Sequence, residues 1–69
     1  MMGYFSSVFA RSGFGWLKVP AMQIKSGDKF KLVEEVDSGA TYIATQDATL
    51  GNYKSGKAEI HYTVVDSND

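Results

Sequence analysis

Along residues 57–65 the chain alternates without a break, Ala58, Ile60, Tyr62 and Val64 against Lys57, Glu59, His61 and Thr63. Successive side chains on a β-strand point to opposite sides of the sheet, so this period of two is a strand with one dry and one wet face. Such a strand is not stable alone. It needs partners along its ladder and a second surface against its dry face, which commits the chain to a packed sheet.

The other runs extend that reading. Residues 14–19 form a strand with Leu17 and Val19 on one face and Phe14, Trp16 and Lys18 on the other, and Pro20 either ends it or lies on an edge, having no N–H for a ladder. A short extended piece at 21–24 leads into Lys25-Ser26-Gly27-Asp28, where glycine supplies positive φ and Ser and Asp bond their own backbone in a turn. Phe30, Leu32 and Val36 then alternate with Lys29, Lys31 and Glu35, and Asp37-Ser38-Gly39 reverses the chain into residues 40–45. A three-residue loop ending in glycine is a common hairpin connection. Residues 46–56 form a loop broken by Gly51-Asn52 and Ser55-Gly56, with Leu50 and Tyr53 available to pack back onto the sheet.

Residues 4–12 fit two patterns. Phe5, Val8 and Phe9 fall at i, i+3 and i+4, and Gly13 stands where a helix-capping glycine would, so a short helix or irregular arm is the expectation. The alternative is a strand, which three aromatics and a valine also suit. The expected fold is thus all-β, a small single-domain barrel or sandwich of about five strands. Residues 1–13 are a short aromatic N-terminal helix or arm, 14–65 the sheet core and 66–69 a polar tail.

Size sharpens what must hold such a fold together. A domain of about 60 residues buries only about 60% of the surface its unfolded chain exposes. With no cysteine, disulfides and thiolate zinc sites are closed, and a single histidine does not anchor zinc. Dense aromatic packing or oligomerisation is left. Of nine aromatic residues, five lie in the first third: Tyr4, Phe5, Phe9, Phe14 and Trp16. That is more than one strand or helix face hides, and it marks these five as a docking surface for a protein partner.

The net charge of −1 argues against non-specific polyanion binding but permits a local basic patch. Lys25, Lys29, Lys31, Lys54 and Lys57 flank two strands. Four of them, Lys29, Lys31, Lys54 and Lys57, with Trp16 or Tyr53 as stacking platforms, would make a groove for single-stranded nucleic acid.

Catalytic and cofactor patterns are absent. Glu34, Glu35 and Asp37 cluster at a hairpin end with no nucleophile beside them, and alternation puts the two glutamates on opposite faces. Glu59 is spaced to orient His61, but a general base also needs a substrate pocket and a partner to deprotonate. The Lys-Ser-Gly segments lack the phosphate-loop spacing. No catalytic residue, cofactor or metal is therefore expected, and the chain reads as a non-enzyme. It shows neither a secretory signal nor a run long enough to span a bilayer, so a cytoplasmic or virion-associated location is expected.

From Glu34 onward the chain carries Glu34, Asp37, Gly39, Ile43 and Ala44 in EEVDSGATYIA, and Lys54, Gly56, Lys57, Ala58 and Ile60 in KSGKAEI, with Phe30 before them. In these residues it resembles the trp RNA-binding attenuation protein family, small all-β subunits that join edge to edge into a ring. The resemblance implies a ring-like β-assembly. Of that family's RNA-contacting basic positions, which fall at Glu35, at Lys54 and beside Gly56, only Lys54 is kept, and the residues that hold tryptophan are replaced by residues such as Asp47, Leu50 and Gly51.

Three functions follow as expectations. The first is a structural or assembly protein, a β subunit of a homo-oligomer or larger particle such as an auxiliary phage or virus protein, docking through its aromatic N-terminal segment. The second is a single-stranded RNA- or DNA-binding β module, and the third a small phage-type inhibitor of a host protein.

Overall fold

The computed structural model describes residues 1–35, 39–50 and 56–65, and over them the fold is all-β. The strands are β1 (Met2–Phe5), β2 (Ser7–Ser12), β3 (Gly15–Pro20), β4 (Lys29–Leu32), β5 (Thr41–Ala44) and β6 (Ala58–Val65). They form one six-stranded antiparallel sheet in the order β1-β6-β5-β4-β2-β3, which is not closed into a barrel and leaves β1 and β3 as edges. Among the described residues the only helical pieces are two 3-10 turns, Ala21–Gln23 and Val33–Glu35.

One link bends the whole sheet. β1 and β2 are separated only by Ser6, yet they lie four places apart in the strand order. In a flat sheet four places span about 19 Å at ~4.8 Å per strand, whereas Phe5 to Ser7 reaches about 7 Å at most. The sheet therefore curls over on itself and supplies the second surface that each strand needs. Inside the curl Val8, Phe30, Ile60, Ala44 and Ala58 are buried, and the connections add Ala21, Ile24 and Ala48 as a plug. The Ala21 N–H donates to the Ser6 carbonyl at 3.0 Å, the Ile24 N–H to the Ala21 carbonyl at 3.1 Å and the Ala48 N–H to the Ile24 carbonyl at 2.9 Å, so all three N–H groups of the plug are paired. Burial of Phe30, Ile24, Ile60 and Val8 contributes about 1.5–3 kcal/mol each.

The expected helix or arm at the N-terminus is instead two strands. Phe5 packs inward from β1 and Val8 inward from β2, three residues apart, because the bend at Ser6 shifts the alternation by one. That shift imitates helical spacing. Gly13 is no helix cap but, with Phe14, the two-residue tip of the β2–β3 hairpin, which closes at the Ser12–Gly15 pair. Ser12 Oγ donates to the Gly15 carbonyl at 3.0 Å and accepts the Phe14 N–H at 3.1 Å. Gly15 has φ of 109°, a conformation that strains any residue with a Cβ.

The one expected hairpin, between residues 30–36 and 40–45, is present with shorter arms and in a different register. Lys29 pairs with Ile43 and Phe30 with Tyr42, but β4 passes into the 3-10 turn Val33–Glu35 rather than running on to Val36. The Asp37-Ser38-Gly39 turn lies outside the described residues for its first two positions. Of the expected extended piece at 21–24, Ala21–Gln23 form a 3-10 turn and Ile24 alone is extended, and Leu50 is exposed instead of packed on the sheet. Val64, on the apolar face of β6, is 51% exposed, since its row ends at the open rim of the curl.

Candidate functional site

Strand register sorts the side chains. Val8 is fully buried and pairs with Val19 of β3 and Leu32 of β4, so those positions face inward. One residue on, Phe9 faces outward, directly between Lys18 of β3 and Lys31 of β4. Two residues further Arg11 faces outward opposite Trp16, and the next step of the same register sets Lys29 abreast of Arg11. The outer face of β3-β2-β4 thus presents two rungs, Lys18-Phe9-Lys31 and Trp16-Arg11-Lys29.

Charge is segregated on this face. Four of the chain's seven basic residues, Arg11, Lys18, Lys29 and Lys31, share it, although the chain as a whole is nearly neutral. No carboxylate projects from these rungs. Three of the eight acidic residues are engaged elsewhere: Asp28 Oδ2 accepts the Lys25 N–H and Asp47 Oδ1 the Ser26 N–H, each at 2.9 Å, while Glu59 Oε2 lies 2.7 Å from His61 Nε2 on β6. Among the described residues none of the four outer-face cations has a carboxylate partner. Strands about 4.8 Å apart set the cations of Lys18 and Lys31 roughly 10 Å from each other at the backbone.

Two of the cations are held by the indole. The Arg11 guanidinium carbon lies 5.5 Å from the Trp16 ring centroid and the Lys31 ammonium 5.2 Å. Lys31 is on β4, two strands from Trp16, so the indole reaches across β2 to meet it. Such contacts are worth about 0.5–1 kcal/mol when exposed. They are strong enough to organise long side chains and weak enough to yield to a base.

At the bend between β1 and β2 a groove of about 520 Å³ opens, with Lys18 and Lys57 among its lining residues. Lys18 therefore belongs both to the outer face and to the groove. Among the described residues no group of three or more His, Cys, Asp or Glu side chains is arranged to hold a metal ion. No helix of the described residues is long and apolar enough to cross a membrane.

The residues expected to dock a partner are not gathered on one arm. Phe9 and Trp16 lie on the outer face, Tyr4 and Phe5 line the groove, and Phe14 stands alone at the hairpin tip, 97% exposed. Phe5 also turns its ring to Tyr62, centroids 6.1 Å apart, at the edge of a cluster in which Phe30, Tyr42 and Tyr62 meet. Of the residues expected to hold nucleic acid, Trp16, Lys29 and Lys31 share the outer face and Lys57 lies at the groove; Tyr53 and Lys54 fall outside the described residues. Arg11 and Lys18 were absent from that expected set. Lys18 was within reach, two residues after Trp16 on the same strand face, whereas Arg11 was hidden by the helical reading of its segment.

No protein-family model, curated protein or solved structure matches the chain.

Proposed function

We propose that this chain is a non-enzymatic β module that binds single-stranded nucleic acid across the outer face of β3-β2-β4. The observation that carries the reading is the placing of Arg11, Lys18, Lys29 and Lys31 around Trp16 and Phe9 with no carboxylate among them. Cations bind the phosphates and displace condensed counterions, while aromatic faces stack on bases irrespective of sequence. Single strands are favoured over duplex because these three strands sit inside a six-stranded sheet, wider than the two-stranded ribbon a major groove admits.

Titration of a labelled single-stranded oligonucleotide at several salt concentrations tests the proposal. With four phosphate contacts the slope of log K against log salt is about −0.7 × 4, or roughly −2.8, and Trp16 emission is quenched on binding. Exchanging Lys31 for Gln makes the slope shallower by about 0.7 and weakens all sequences alike. Binding that ignores salt, or Trp16 emission that ignores the oligonucleotide, removes the reading.

A second reading, subunit of a homo-oligomer, is favoured by a separate observation. Both sheet edges, β1 and β3, lack a further strand partner among the described residues, and Leu17 on β3 is half exposed on the otherwise apolar face. An open edge is a template for another chain's strand. Light scattering during size-exclusion chromatography decides this: a multiple of the 7.6 kDa chain mass supports it and a monomer at high concentration excludes it.

A further inference from the structure

The groove at the β1–β2 bend has a lining unlike the outer face. Among its described lining residues the wall at the bend is Tyr4, Phe5, Ser6 and Ser7, and the end of β4 supplies Leu32, followed by Val33 and Glu34. Lys18 from β3 and Lys57 from the approach to β6 complete it. A volume of about 520 Å³ falls within the range of small-molecule sites, about 300–1,000 Å³. The lining asks for a ligand with an apolar planar body and an anionic group: aromatic and aliphatic side chains for the body, two ammonium groups for the anion.

We propose that the groove is a nucleotide subsite, in which a base enters between Phe5 and Leu32 and its phosphate is held by Lys18 and Lys57. This rests on the outer-face reading above and deepens it, because Lys18 is the residue the face and the groove have in common. A strand crossing the Lys18-Phe9-Lys31 rung arrives at the groove mouth, where one nucleotide leaves the stack. Glu34, the only carboxylate among the described lining residues, accepts hydrogen bonds and gives none when ionised. Its partner on the ligand is therefore a donor, a base amino group or a sugar hydroxyl. Among the described lining residues two lysines stand against one glutamate, a net positive charge suited to a phosphate.

The bend that forms this wall is fixed rather than loose. The Ser6 carbonyl accepts the N–H of buried Ala21, and Phe5 is pinned by Tyr62 on one side and by the missing side chain of Gly3 on another. A groove already in shape loses little conformational freedom when a ligand arrives.

Amide shifts of the isotope-labelled full chain, read during titration with adenosine 5′-monophosphate, adenosine and inorganic phosphate, test the subsite. The monophosphate is expected to move the amides of Ser6, Ser7, Lys18 and Lys57, and to bind at least about tenfold more tightly than adenosine or phosphate alone. Lys57→Gln weakens the monophosphate by about tenfold, the loss expected for one charge-assisted contact, and Lys25→Gln, away from both face and groove, leaves it unchanged. The subsite is overturned if the monophosphate moves other amides or none, if phosphate alone binds as well, or if K57Q binds like the parent. In each of those cases an oligonucleotide whose affinity still falls with K31Q keeps the outer-face reading intact, so the two fail separately.

Discussion

Gly3 and Phe5 show how tightly single positions are constrained. A Cβ at Gly3 would lie 2.6 Å from Phe5 Cζ, so the ring occupies the space that a side chain on β1 would otherwise fill. Aromatic cover of a strand glycine is a recognised way to mend a gap in a sheet. Gly3→Val forces the Phe5 ring off Tyr62 and is expected to cost about 1–3 kcal/mol, the range for overpacking, read as a lower urea midpoint. Phe30 is the stricter case. It is fully buried and meets both Tyr42 and Tyr62, at 5.8 and 5.6 Å between centroids. Phe30→Ala removes about 3–5 kcal/mol, against a total of about 3–10 kcal/mol expected from ~0.05–0.15 kcal/mol per residue. That variant should be largely unfolded at 37 °C by circular dichroism, while Phe30→Leu folds with a lowered midpoint; a fully stable F30A would mean that the curl is held by something other than this core.

Among the elements, the β2–β3 hairpin matters most because it carries Trp16, Arg11, Phe9 and Lys18 together. Its tip is held by the two Ser12 Oγ hydrogen bonds, at 3.0 and 3.1 Å. Ser12→Ala is expected to cost about 0.5–1.5 kcal/mol per bond lost, less where water replaces it, and to loosen β3, an edge strand that among the described residues pairs with β2 alone. The check is faster amide exchange along β3 with β5 and β6 unchanged, and weaker oligonucleotide binding without any loss of charge. Legibility from sequence also divides by element. The strand at 58–65 was visible because its alternation is unbroken, and a hairpin between β4 and β5 because its two runs are near in sequence; its register was not, since a loop of residues 37–39 would set Phe30 opposite Gln46 and not Tyr42. β1 and β2 were not, because one bent residue, Ser6, moves Phe5 and Val8 onto the same side and erases the period on which a strand is recognised. The candidate face inherits that history: Trp16, Lys29 and Lys31 were readable from strands, Arg11 was lost with β2, and the groove comes from the curl and has no signature in any single run.

At the scale of the whole molecule Met1 meets the middle of the last described strand. The Met1 ammonium donates to the Tyr62 carbonyl at 2.9 Å and the Tyr62 N–H to the Met1 carbonyl at 2.8 Å, so the first strand lies on the last. Closing this pair before other contacts form costs loop entropy, which makes long-range antiparallel folds slow, in the millisecond-to-second range. It also ties stability to a single event. β2 contributes Val8, β4 Phe30 and β6 Ile60 to one core, so neither half of the sheet retains a dry face when the other leaves. Unfolding is therefore expected to be two-state, with a urea dependence of about 1 kcal/mol per molar, at the low end for small proteins. Two reporters are already in place: Trp16 on the outer face of edge strand β3, and the Tyr42–Tyr62 pair, centroids 4.9 Å apart, inside the curl. Tryptophan fluorescence and tyrosine near-ultraviolet dichroism should give coincident transitions. A Trp16 transition that precedes the tyrosine one would mean that the β2–β3 hairpin melts by itself, and the binding face would then be a separately ordered unit rather than an outcome of the single core.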